Sequence, residues 1–67
     1  MINTSKIKGR LAELSLTQKD VAKALNITQP TANQKINNIR AMKLEEAEKL
    51  KRLLQITDED FEEYFFA

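Results

Sequence analysis

TQKDVAKALNITQPTANQKI, residues 17–36, holds two helix starts and one helix stop in quick succession. Thr17 is a good N-cap, and Asp20 three residues on makes a variant of the capping box. Val21, Ala22 and Leu25 recur at i, i+1 and i+4, so the helix that follows has one apolar face and ends near Leu25. Asn26 comes next, the side chain that after glycine best tolerates the left-handed conformation of a helix stop. Thr28 caps again, and Pro30 falls in the first turn of a third helix, where its missing N–H costs nothing. That helix runs to about Ile36 or Asn37. Two helices of about eight residues joined by so short a connection have a fixed mutual angle, the helix-turn-helix arrangement. Ala22 is expected to be small because the next helix crosses there. Val21, Leu25, Ile27, Ala32 and Ile36 should knit the pair to the rest of the chain.

The third helix gives little to a core. Ala32 and Ile36 define its buried side, and the opposite arc carries Pro30, Thr31, Asn33, Gln34 and Asn37, with Gln29 at its N-terminal tip. The arc offers donors and acceptors and no carboxylate, which phosphates would repel. Such a surface suits base edges in the major groove of a DNA duplex, where an amide pairs bidentately with adenine. Gln29, Pro30, Thr31, Asn33 and Gln34 are the candidate base contacts. Gln18 and Thr28 stand at helix N-termini, where N–H groups and the dipole attract anions. Lys35 leans to the edge of the same face, and Asn37, Asn38, Arg40 and Lys43 follow it. Together these seven are the candidate phosphate contacts.

On the N-terminal side, Ile7, Leu11 and Leu14 mark an amphipathic helix from Asn3 or Thr4 to Ser15. Gly9 inside it should cost about 1 kcal/mol relative to alanine; either a neighbouring backbone comes close, or the helix tolerates it. On the C-terminal side, NNIRAM (37–42) is a loop, with Ile39 and Met42 available to pin it to the core. A fourth helix, Leu44 to Leu54, has the stripe Leu44, Ala47, Leu50 and Leu53/Leu54. Its acids lie at the start and its bases at the end, matching the macrodipole, although Lys43 is a poor cap. Thr57 caps a last, aromatic helix over about 57–66. The expected fold is all-α: five short helices in one unit spanning residues 1–67.

A chain of 67 residues without cysteine has no disulfide framework and must be held by packing alone. With histidine also absent, the usual soft and imidazole metal ligands are missing, and so are the usual partners of base-assisted nucleophilic catalysis. There is no glycine-rich phosphate loop. The expectation is a non-enzyme without cofactor, metal or small-molecule ligand. No apolar run is long enough for a membrane span and no signal peptide is visible, so a cytoplasmic chain is expected. The net charge of +1 conceals an asymmetry: residues 1–43 carry eight bases and two acids, residues 44–67 three bases and eight acids. A basic end facing an anion and an acidic end turned away would explain it, as would solvated surface charge that fell unevenly.

LTQKDVAKALNITQPTANQKI, followed by KLEEAEKLKRLL, resembles the Cro/CI-type helix-turn-helix of phage repressors and related small regulators, and the likeness extends from about Ile7 to Ile56. The resemblance implies a compact five-helix, lambda-repressor-like DNA-binding domain and a transcriptional regulator, most simply a repressor. It implies a homodimer, at least on DNA, at a near-palindromic operator, in a bacterial or phage-infected cell. Gln18 would contact phosphate, Gln29 a base, and Pro30, Asn33 and Gln34 bases or backbone. The sequence departs from the family at Asn26 and Asn38, where glycine is usual. It departs again at Lys35-Ile36, which reverses an apolar–polar order.

The alternative reading is a small protein-interaction module, an antirepressor or adaptor. FEEYFFA at the C-terminus (61–67) has four aromatics, of which Phe61 and Phe65 should close the core. Tyr64 and Phe66 are then the candidate dimer or partner surface.

Overall fold

Helix boundaries are set by side chains within a few residues of each end. The structure, a computed structural model, describes residues 1–66. Among them are five helices and no strand: α1 Thr4–Glu13, α2 Gln18–Leu25, α3 Gln29–Ile36, α4 Leu44–Leu53 and α5 Asp58–Phe65. Asn3, Thr28 and Thr57 cap α1, α3 and α5 by accepting the N–H of the residue three further on. For α2, the Asp20 carboxylate reaches back to the Thr17 N–H at 2.8 Å. Lys43 offers no cap oxygen, but Glu46 takes its N–H at 2.9 Å, so half of a capping box starts α4.

The stops share one device. Ser15, Asn26, Asn38 and Gln55 all take positive φ, between 54° and 61°. The next residue then donates its N–H five residues back: Leu16 to Leu11, Ile27 to Ala22, Ile39 to Gln34 and Ile56 to Lys51. This is the Schellman closure, which normally tucks an apolar residue under the turn. Leu16, Ile27 and Ile56 are so tucked. Ile39 is the exception at 73% exposure, so it does not pin the 37–43 loop as its apolar character predicted. Met42 alone packs against the core. The positive φ of Ser15 also ends α1 at Glu13, two residues short of the expected limit.

All five helices feed one core. Ile7, Val21, Ile36, Leu50 and Leu54 are fully buried, joined by Leu11, Leu25, Ile56 and Phe65. Each such large side chain contributes about 1.5–3 kcal/mol by leaving water. Buried Ala22, Ala32 and Ala47 mark close helix crossings: α2 packs against both α3 and α4, while α1 meets α5. Leu44, expected on the α4 stripe, is exposed, and Glu46 takes a buried place instead. Nothing lies within 4 Å of a Cβ built on Gly9, so the helix simply tolerates it.

Polar ties join the ends of the fold. The Thr4 hydroxyl donates to the Ile36 carbonyl at 2.7 Å, closing the end of α3. The Arg10 guanidinium does the same for the Leu54 carbonyl at 2.8 Å, beyond α4. The Asn3 N–H donates to the Tyr64 carbonyl at 2.8 Å. Phe61 is half-buried and stacks on buried Phe65 at 5.0 Å. Among the described residues no helix is long and apolar enough to cross a membrane.

Candidate nucleic-acid interface

α3 turns its apolar residues inward and leaves its first turn to solvent. Ala32 and Ile36 are completely buried, while Gln29, Pro30 and Asn33 are exposed and Thr31 and Gln34 half-buried. Thr28 holds the start rigid: its hydroxyl accepts the Thr31 N–H at 3.4 Å and donates to the Thr31 hydroxyl at 2.9 Å. Gln18, Gln29, Pro30 and Asn33 line one cleft of about 580 Å³ where the N-termini of α2 and α3 meet. The Gln18 Oε1 is buried without a hydrogen-bond partner. An unmet buried acceptor of this kind costs about 1–3 kcal/mol.

The amides of α3 have different free groups. Asn37 donates through Nδ2 to the Asn33 carbonyl at 2.8 Å and to its Oδ1 at 3.0 Å. Asn33 therefore presents chiefly its own NH₂, a donor. Gln29 keeps both donor and acceptor. Neither α3 nor the lining of its cleft contains a carboxylate. Asp20, near the start of α2, turns back onto Thr17: the Thr17 N–H and hydroxyl hold its carboxyl below the ordinary value.

Of the expected phosphate contacts, Arg40 and Lys43 are exposed and form no ion pair among the described residues. The Arg40 and Ile39 N–H groups both donate to the Gln34 carbonyl, at 3.2 and 2.9 Å, so the turn carrying Arg40 is fastened to α3. Lys8, Lys19 and Lys23 are exposed and likewise without an ion pair among the described residues, whereas Lys6, Arg10 and Lys35 are engaged elsewhere. Lys6 pairs with Glu63 at 2.7 Å and lies over the Tyr64 ring; the hydrogen bond it donates to the Glu63 carboxylate holds its ammonium above the usual range.

Three expected phosphate ligands, Lys35, Asn38 and Asn37, are instead engaged within the fold. Lys35 does not lean to the edge of the exposed face: it is 7% exposed, and its Nζ lies 2.6 and 2.7 Å from the two oxygens of Glu46. Ala32, Lys35 and Ile36 stand at i, i+3 and i+4, so Lys35 falls on the buried stripe. Burial pushes the Glu46 carboxyl up, but the Lys35 ammonium and the Lys43 N–H outweigh it and hold the carboxyl below the ordinary value. Asn38 is the second. Its Oδ1 accepts the Ile2 N–H at 2.9 Å, and its Nδ2 donates to the Ile2 carbonyl at 2.9 Å and to the Thr4 hydroxyl at 3.3 Å. The amide is a clasp on the N-terminal segment and has no donor left. The Asn37 donors are likewise committed to Asn33.

The candidate partner surface divides. Phe66 is 57% exposed, at the rim of a groove of about 230 Å³ whose apolar lining, Met1, Ile2, Ala41, Met42 and Phe65, is joined by the polar Asn38 and Arg40. Tyr64 is instead half-buried against the core beneath Lys6 and is not part of an open apolar face. Among the described residues no three metal-ligating side chains come together.

Residues 2–67 match the model of a family described as "Protein of unknown function (DUF739)". No curated protein and no solved structure matches the chain.

Proposed function

We propose that this chain, which belongs to the DUF739 family over residues 2–67, is a sequence-specific double-stranded DNA-binding transcriptional regulator, most simply a cytoplasmic repressor. In this reading α2, the Ile27 turn and α3 are a helix-turn-helix in a lambda-repressor-like arrangement, and α3 enters the major groove. The observation that carries it is the exposed first turn of α3. Gln29, Pro30 and Asn33 are held outward by Ala32 and Ile36, with no acid beside them and the unpaired Arg40 and Lys43 following. Gln29 would read a base edge, Asn33 would donate to a base or phosphate acceptor, and Pro30 would touch a thymine methyl. If Gln29 pairs with adenine, one hydrogen of its NH₂ remains for the unmet Gln18 Oε1, which would lock the amide orientation. The same groups offer nothing that performs covalent chemistry, and the reading includes no catalysis and no cofactor.

One such helix buries little surface, so two copies are expected on half-sites about 34 Å apart, with Phe66 near their seam. Selection of bound duplexes from a random pool tests the whole reading: a near-palindromic consensus is expected. Gln29→Ala should then relax preference at one position of each half-site by about 1–3 kcal/mol. Equal loss on every duplex would rule out direct reading by Gln29.

The exposure of Phe66 beside its groove favours one second reading, a protein-interaction module. It requires absence of salt-sensitive duplex binding and a partner lost on Phe66→Ala. Duplex binding that persists while dimers fail in Phe66→Ala assigns the aromatic to the seam of a DNA-binding dimer.

A further inference from the structure

A 67-residue domain with a small core encloses two opposite charges, and simple stability does not explain why. Lys35 and Glu46 are 7% and 6% exposed and bond through both carboxylate oxygens. Burying such a pair is commonly no better for stability than an apolar pair of similar volume, because desolvation offsets the attraction. What an ion pair supplies and a leucine does not is direction. α3 rests chiefly on α2 and has little close backbone approach to α4. The bridge from the last turn of α3 to the first turn of α4 spans that looser side. Glu46 also accepts the Lys43 N–H at 2.9 Å, so one carboxylate holds α3, the start of α4 and the end of the loop that carries Arg40.

We propose that Lys35 and Glu46 are positioning residues that fix the rotation of α3 and the path of the 37–43 loop. They thereby set the register between base-contacting Gln29 and Asn33 and phosphate-contacting Arg40 and Lys43. The DNA part rests on the proposed function; the positioning part does not.

Two arms test it on the full chain carrying Lys35→Met together with Glu46→Leu. The pair keeps apolar volume, so the fold and its melting temperature should be retained. In the free protein, amide hydrogen exchange should quicken at least ten-fold at Asn37, Ile39, Arg40 and Lys43, with α1 and α5 unchanged. On DNA, affinity for a scrambled duplex should hold within about two-fold, while the ratio of selected to scrambled binding falls at least ten-fold. The charge-exchanged variant, Lys35→Glu with Glu46→Lys, should recover part of that ratio, which a purely space-filling role would not predict. Unchanged exchange in residues 37–43 overturns the positioning role. Quickened exchange with an undiminished specificity ratio overturns its link to base selection. If the native chain selects no duplex, the DNA reading falls, and the exchange arm still decides whether the pair orients α3. Should the double variant fail to fold, Glu46→Gln, which retains the Lys43 acceptor, carries both measurements with the same expected directions; its failure as well would make the pair a folding requirement and reject the proposal.

Discussion

Replacing Arg40 with alanine removes a cation from the turn after α3 while leaving the core and the turn itself in place. The side chain is exposed and has no ion-pair partner among the described residues. Its backbone N–H, which closes the turn on the Gln34 carbonyl, is unaffected by the substitution. Each phosphate neutralised on duplex DNA contributes about −0.9 to the slope of log affinity against log salt. One Arg40 in each of two copies therefore accounts for a slope of about −1.8. Between about 50 and 200 mM salt, a fourfold change, those two contacts would lose about twelve-fold in affinity. The gap between native protein and Arg40→Ala should close by that factor across the range, on selected and scrambled duplexes alike. Fluorescence anisotropy titrations over a salt series measure it. Lys49→Ala is the control, because it removes from α4, outside the candidate interface, a cation that is likewise exposed and without an ion pair among the described residues. An unaltered slope in Arg40→Ala, or equal flattening in the control, would show that the wrong cations have been assigned to the phosphates.

Gly9→Ala should stabilise the domain by about 1 kcal/mol, since α1 there is helical and nothing meets the added methyl. In a chain of this size that raises the melting temperature by about 4–8 °C in a circular dichroism scan; a lowered value would reveal a contact absent from the structure. Acid should destabilise the fold through Glu46. Its carboxyl lies below the ordinary 4.5 in the folded state, so its contribution is complete above that value and disappears as pH falls through the folded pKa. Asp20, Asp58 and Glu63 are shifted the same way, the first by the Thr17 N–H and the others by Lys51 and Lys6. Denaturant titrations at descending pH should show Lys35→Met with Glu46→Leu losing less stability in the carboxylate range than the native chain. Parallel losses would place the acid sensitivity elsewhere.

Much of this architecture could be written down from residues alone. Thr17, Thr28 and Thr57 start helices, and Asn26 stops one, through bonds that reach no more than five residues. The apolar period then assigns Ile7, Leu11, Val21, Leu25, Ile36 and Leu50 to the core. The polar arc of α3 follows by subtraction, which is why Gln29, Pro30 and Asn33 stand where the wheel put them. Even the missing cap at Lys43 had its answer within three residues, in the Glu46 carboxylate.

Long-range partners were beyond that reach. A lysine on a wheel is read as solvent-facing unless its counter-charge is known, and the Glu46 that buries Lys35 lies in another helix. Asn38 reads as a free amide until the chain returns Ile2 to it. Ile39 reads as core by its apolar character and Leu44 by its place on the α4 stripe, and both are exposed. Local hydrogen bonds and side-chain period thus determined where the five helices begin, end and face. Which polar groups are removed from solvent, and which apolar ones are left in it, was decided by tertiary structure, because desolvation depends on the neighbour that replaces water, and that neighbour is contributed by a distant part of the chain.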